Sequence, residues 1–90
     1  MSLHTYRDEA GAFLASMGAQ GEGDAQKLAW LEEEFALLRE ASAVGNDARM
    51  RHQIYDMLFL LFELAAEHDF DLDEEWRVGA ARKQEKYLKK

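Results

Sequence analysis

The sequence predicts an all-α protein, and three features of composition and pattern support this. The chain has 90 residues, no proline, and six glycines that fall mainly between long helix-favouring segments. Apolar residues recur at spacings of three and four, and no stretch alternates polar and apolar residues as a half-buried strand would. We therefore expect one domain over residues 1–90, a compact four-helix bundle-like fold that oligomerisation completes.

The first two helices each carry an apolar stripe, and a glycine-rich connector separates them. We expect the first helix at about 2–17 and the second at about 25–43. The connector contains three glycines within residues 18–23, and Asp24 after it is expected to cap the second helix. The two apolar stripes consist of Tyr6, Ala10, Phe13, Leu14 and Met17, and of Leu28, Leu31, Phe35 and Leu38.

The third helix, expected at about 48–68, is apolar on nearly all sides at its centre. Residues 45–47 break the preceding helix and offer a cap for this one. One side carries Ile54, Leu58, Leu61 and Ala65, and another carries Tyr55, Phe59 and Phe62. A helix of this kind must be covered on several sides, which a small bundle alone does not achieve. We therefore expect a homo-oligomer, either a dimer or a tetramer.

The fourth helix is expected at about 72–89. Asp71 and Glu74 have the spacing of a capping box, in which the first residue caps the helix and the second reaches back. The acidic first turn and basic last turn both suit the helix dipole. Its apolar side is thin, so we expect it at the edge of the bundle; that side consists of Leu72, Trp76, Ala80 and Tyr87.

The charge is divided unevenly along the chain, and this limits the possible partners. Residues 1–75 contain 5 basic and 17 acidic side chains, whereas residues 76–90 contain 6 and 1. An acidic body argues against a nucleic-acid polymer as partner and is compatible with cations. The longest apolar run, residues 57–62, is far shorter than the ~20 residues that span a bilayer. The chain has no cysteine and no signal peptide, so we expect a cytoplasmic protein.

Two helices carry carboxylates that could form an oxygen-only metal site. Residues 32–34 are three consecutive glutamates on the second helix, and Asp56 interrupts the apolar centre of the third. A carboxylate buried there needs a partner or a metal, and hard cations such as Mg²⁺ or Mn²⁺ prefer oxygen ligands. The alternatives are a solvated acidic face for the glutamates, and a local ion pair of Asp56 with His52 or Arg49.

The order and spacing of these residues resemble the MazG-like nucleotide pyrophosphohydrolases over about residues 25–89. Residues 31–41 (LEEEFALLREA) resemble their acidic E-E-x-x-E helix, and residues 53–59 (QIYDMLF) are similar to E-x-x-D with its apolar run. Residues 71–76 and 82–88 are similar to their last helix, acidic at its start and basic-aromatic at its end. The departures from the family pattern are Leu37 and Gln53, where acids are expected, and Ala80, where asparagine is frequent.

The resemblance implies metal-dependent hydrolysis of a nucleoside triphosphate to a monophosphate and pyrophosphate. It implies Glu33, Glu34 and Asp56 as catalytic residues and, together with Gln53, as ligands of Mg²⁺ or Mn²⁺. The implied substrate-binding residues, which would meet the phosphates, are Arg82, Lys83 and Lys86. Because two acids are replaced, an inactive helical binding or assembly module on the same fold is the alternative. A helical interaction domain unrelated to the family is a third possibility.

Overall fold

The computed structural model describes residues 2–88 and consists of helices alone. The four α-helices are α1 (Leu3–Ser16), α2 (Ala25–Ala43), α3 (Asp47–His68) and α4 (Leu72–Lys83), and a short π-helical segment, Gln84–Leu88, follows. This part of the chain contains no β-strand, so the predicted all-α bundle-like class is confirmed. Within residues 2–88, no helix is both long enough and apolar enough to cross a membrane.

The predicted helix bounds agree to within one residue for α1, α2 and α3. The fourth helix begins at Leu72 as predicted, but after Lys83 it changes to π-helical geometry. Its predicted end at residue 89 lies outside the described residues. The periodicity of apolar residues therefore predicted the positions of the helices, whereas the change to π-helical hydrogen bonding after α4 could not be predicted from it.

Two of the predicted caps are present. The side chain of Asn46 accepts a hydrogen bond from the backbone N–H of Arg49 at 3.1 Å, and it starts α3. The carboxylate of Asp71 accepts one from the backbone N–H of Glu74 at 3.0 Å, and it starts α4. The reciprocal half of the predicted capping box does not form, because the Glu74 carboxylate binds Arg77 at 2.6 Å.

Asp24 occupies the predicted N-cap position of α2, but the capping hydrogen bond expected of its carboxylate does not form. The Oδ2 of Asp24 instead lies 2.6 Å from Nε2 of His68 at the end of α3. Next to this pair, both carboxylate oxygens of Glu67 accept from the backbone N–H of Gly21 at 3.1 Å. The glycine-rich connector is thus held against the end of α3 by contacts that span more than 40 residues of sequence.

Helix α3 is central in the fold. Helices α1 and α2 both pack against it and make little contact with each other, and α4 lies against α1. Small residues permit the close approach of α1 and α3: a Cβ placed on Gly11 would lie 3.0 Å from the Cβ of Ala66. At the start of α1, the backbone N–H of Leu3 donates to Asp73 of α4 at 2.8 Å.

The apolar core of a single chain is small. Among residues 2–88, the buried hydrophobic residues are Ala10, Leu14, Ala41 and Ala65. The radius of gyration is 15.4 Å, whereas a compact domain of this length has about 12 Å. Most large apolar side chains of α3 consequently keep part of their surface exposed, Ile54, Tyr55, Leu58 and Leu61 among them.

Candidate functional site

A cavity of about 590 Å³ between α1, α2 and α3 is lined by four carboxylates, and we call it the acidic cavity. The carboxylates belong to Glu9 of α1, Glu34 of α2, and Asp56 and Glu63 of α3. Aromatic rings form much of the remaining wall, and they are those of Phe13, Trp30, Tyr55 and Phe59. Anionic oxygens and flat apolar surfaces therefore face the same space.

Helical spacing and ring packing explain why these side chains meet. Asp56 and Glu63 are seven residues apart, so they lie on the same face of α3, two turns from each other. On the wall beside them, the ring of Phe13 packs edge to face on the ring of Phe59, with centroids 5.4 Å apart. A pair of this geometry contributes about 0.5–1.5 kcal/mol beyond the burial of area. The aromatic contact thus holds α1 against α3 next to the carboxylates.

Two buried side-chain oxygen atoms, one on α2 and one on α3, have no hydrogen-bond partner among the described residues. They are Oε2 of Glu34 and Oε1 of Gln53. Gln53 is 6% exposed, lies one turn before Asp56 on α3, and is not part of the cavity wall. An unpaired buried acceptor costs about 1–3 kcal/mol, so both oxygens favour a donor or a cation. Carboxylate and amide oxygens are ligands that suit Mg²⁺ and Mn²⁺.

Asp56 is half-buried and pairs locally with His52, which is one of the two arrangements that the sequence allows for it. Its Oδ2 lies 3.1 Å from Nε2 of His52, one helical turn earlier. Because the side chain of His52 is largely exposed, this pair lies at the protein surface and not in the interior. The Asp56 carboxylate therefore pairs with His52 and also lines the cavity.

Glu63 is the carboxyl of the cavity with the most perturbed environment. It is 5% exposed, and burial raises its pKa above the ordinary value; Lys27 acts to lower it and Glu67 to raise it. Lys27 is buried as well, and its Nζ donates to the carbonyl of Gly23 at 3.2 Å and lies 3.9 Å from Oε1 of Glu67. A carboxyl with a raised pKa holds its proton closer to neutral pH, as general acid–base chemistry requires.

Glu63 and Glu9 were not predicted from the sequence as site residues. A signal for Glu63 existed, because it follows Asp56 by seven residues and so shares its helix face. Glu9 could be found only from the packing of α1 on α3, which helical periodicity alone does not determine.

The other predicted site residues lie elsewhere. Glu33 is exposed on α2 and is not part of the cavity wall. Arg82 and Lys83 at the end of α4, and Lys86 in the π-helical segment, are exposed, and none of them lines the cavity. Lys83 instead borders a groove beside Trp76. One chain therefore does not bring its predicted phosphate-binding residues to the carboxylates.

A second cluster joins the starts of α1 and α4. His4 lies 2.9 Å from Asp71 through Nε2 and 3.3 Å from Asp73 through Nδ1. Within residues 2–88, these three residues alone place three possible metal-ligating atoms within 4.8 Å of one another. Both carboxylates, however, accept backbone N–H groups, Asp71 from Glu74 and Asp73 from Leu3. The bond from Glu74 is also the main reason why the pKa of Asp71 is lowered. Their helix-capping role accounts for the cluster.

Comparisons with protein-family models, with curated proteins and with solved structures find no match to this chain. The resemblance to the MazG-like pyrophosphohydrolases accordingly rests on the residue pattern alone.

Proposed function

We propose that the chain is a metal-dependent nucleoside triphosphate pyrophosphohydrolase that releases a monophosphate and pyrophosphate. The observation that carries this proposal is that Glu34 and Asp56, from two different helices, line one cavity together with aromatic rings. These two residues are also the acids that the family resemblance selects. We place the activity in the cytoplasm, because a chain without cysteine has no need of an oxidising compartment.

Glu34, Asp56 and Gln53 are the residues that would hold Mg²⁺ or Mn²⁺, and the family resemblance adds Glu33, which is exposed on the same helix as Glu34. The buried oxygens of Glu34 and Gln53 support this choice, since each lacks a hydrogen-bond donor within residues 2–88 and each is of a type that Mg²⁺ and Mn²⁺ accept as a ligand. When bound, the cation offsets the negative charge that grows on the phosphate oxygens during hydrolysis.

The remaining groups of the cavity have roles that follow from their surroundings. Glu63, whose pKa is raised by burial, is suited to accept a proton from the attacking water. The rings of Trp30 and Tyr55 offer flat surfaces on which a nucleobase can stack. Together these groups orient the substrate and move one proton.

The phosphate-binding role of Arg82, Lys83 and Lys86 requires more than one chain. In a single chain they are exposed and lie outside the cavity wall. We therefore propose a homo-oligomer, a dimer or a tetramer, in which one protomer supplies these cations to the cavity of another.

The second candidate is a helical assembly module without catalysis. The replacement of two acids by Leu37 and Gln53 favours it, because carboxylate number is a main determinant of cation affinity. The extensive exposed apolar surface of the chain also favours it, since assembly would cover that surface.

Pyrophosphate release from a panel of canonical and modified nucleoside triphosphates, with Mg²⁺ or Mn²⁺, distinguishes the two candidates. We expect release by the wild type and its loss in Glu34→Gln and Asp56→Asn. Glu32→Gln is the matched control, because Glu32 is exposed on the same helix and outside the cavity wall. If no triphosphate of the panel yields pyrophosphate, the catalytic proposal fails and the assembly module is favoured.

A further inference from the structure

The folded chain has a larger solvent-accessible surface than is expected of a compact monomer of its mass. Its accessible surface is 6831 Å², whereas a compact monomer of 10.4 kDa exposes about 5,400 Å². The excess of about 1,400 Å² per chain is larger than the about 800 Å² that each partner contributes to a standard interface. Twice this excess falls within the range of obligate homodimers.

One continuous part of this exposed apolar surface lies along a single side of α3. Ile54, Leu58 and Leu61 follow one another at spacings of four and three, and each is between 45% and 47% exposed. We call these three residues the α3 face. A groove of about 480 Å³ continues the face towards Phe70 and Trp76, and its wall is almost entirely apolar. None of the three residues lines the acidic cavity.

We propose that a second copy of this chain covers the α3 face, with the two α3 helices antiparallel about a two-fold axis. The buried hydrophobic residues of one chain are Leu14 and three alanines, within the part that the structure describes. A core this small needs additional apolar contacts whenever the chain is folded. A second copy of the chain is the partner that is present under all conditions. The inference deepens the oligomeric part of the proposed function and does not depend on hydrolysis.

The charges at the ends of α3 determine the direction of packing. Arg51 extends the α3 face by one turn and is exposed. It takes part in none of the salt bridges among residues 2–88. A parallel pair would set Arg51 beside the same residue of the partner, which is repulsive. An axis between Leu58 and Leu61 in an antiparallel pair instead brings Arg51 to the end of the partner's α3. There, residues 69–75 carry five carboxylates.

The first test is the mass of the full chain in solution, measured by sedimentation equilibrium. We expect a dimer or a multiple of it for the wild type, and a dimer dissociation constant raised about 100-fold by Leu58→Glu, because the substitution places a charge in an apolar contact. Val44→Glu is the matched control, since Val44 is 74% exposed at the end of α2 and lies outside the α3 face. A folded wild-type monomer at micromolar concentration would overturn the proposal.

A distance measurement keeps the proposal testable if Leu58→Glu does not fold. Because the chain has no cysteine, Arg49→Cys provides a single site for a nitroxide spin label on each protomer. The antiparallel arrangement predicts labels roughly 30 Å apart along the helices, from a rise of about 1.5 Å per residue. In a parallel pair, the distance between the two labels would instead be about the 8–10 Å between the helix axes, increased by the length of the two label side chains. A short distance, or no dipolar coupling at all, contradicts the proposal, whatever the outcome of the pyrophosphate assay.

Discussion

Lys27→Met tests whether the buried charges between α2 and α3 act as one unit. Methionine retains an unbranched apolar side chain, so much of the packing is kept while the ammonium group is removed. In the native chain this group lies 3.9 Å from Oε1 of Glu67, and it lowers the pKa of Glu63 against the larger effect of burial. The substitution leaves Glu63 buried without a nearby positive charge.

We expect Lys27→Met to lower the free energy of unfolding at neutral pH by about 3 kcal/mol. Removing one partner from a buried ion pair costs about 3–5 kcal/mol, and the lower end applies because the Lys27–Glu67 pair spans 3.9 Å and Glu63 borders an open cavity. A chain of this length has a total stability of about 5–13 kcal/mol, so the loss is a large fraction of it. Since 1 kcal/mol shifts Tm by about 4–8 °C in a domain of this size, we expect Tm to fall by about 12–24 °C.

The effect of Lys27→Met should depend on pH in a defined direction. The folded-state pKa of Glu63 is raised above the ordinary value of 4.5, so the folded state favours the protonated carboxyl. The stability from this group is therefore complete below the unfolded-state pKa and is lost as pH rises through the folded-state value. Without Lys27 the folded-state pKa rises further. The loss of stability should consequently be small near pH 4 and complete near pH 7.5.

Urea unfolding, followed by circular dichroism at one fixed protein concentration, measures this effect. Glu63→Gln in the Lys27→Met background should recover about 2 kcal/mol, because it removes the charge that has lost its counter-ion. Glu63→Gln alone provides the fourth corner of the cycle. A loss below about 1 kcal/mol for Lys27→Met, or a loss that is equal at pH 4 and pH 7.5, would refute the reasoning.

The remaining predictions concern the helices and are measured by thermal unfolding. Gly11→Ala should lower Tm although alanine favours helix by about 1 kcal/mol, because its Cβ would lie 3.0 Å from that of Ala66. Gly79→Ala, where a Cβ meets nothing within 4 Å, should raise stability by about 0.5–1 kcal/mol, and equal effects at both sites would contradict this. Asn46→Ala should cost about 1 kcal/mol through loss of the α3 cap, whereas Asn46→Asp should retain it.

The helices could be predicted from the sequence, whereas some of their caps could not. Apolar spacing and glycine breaks are features of residues that are close in the sequence. They predicted the bounds of α1, α2 and α3 to within one residue. Asp24 has the sequence context of a cap, but its carboxylate binds His68, which is 44 residues away. A local rule cannot anticipate a partner of that kind, because the partner is brought near only by the packing of α2 on α3.

The candidate site was predictable to a similar extent. The family-like spacing selected Glu34 and Asp56, and both line the acidic cavity. Glu9 joins them from α1, and no periodicity in one helix shows which face of another helix it will meet. The role of Arg82 and Lys83 stays a prediction, because in one chain they are exposed and do not line the cavity.

Binding of Mn²⁺ to the acidic cavity is the property on which the proposed hydrolysis depends most directly. Electron paramagnetic resonance of free Mn²⁺ during a titration measures it without any substrate. We expect saturable binding by the wild type and by Glu32→Gln. Binding should be weakened about tenfold or more in Glu34→Gln and in Asp56→Asn, since one charge close to a cation contributes a few kcal/mol in a partly hydrated site. Equal Mn²⁺ affinity in all four proteins would contradict a cation site formed by Glu34 and Asp56.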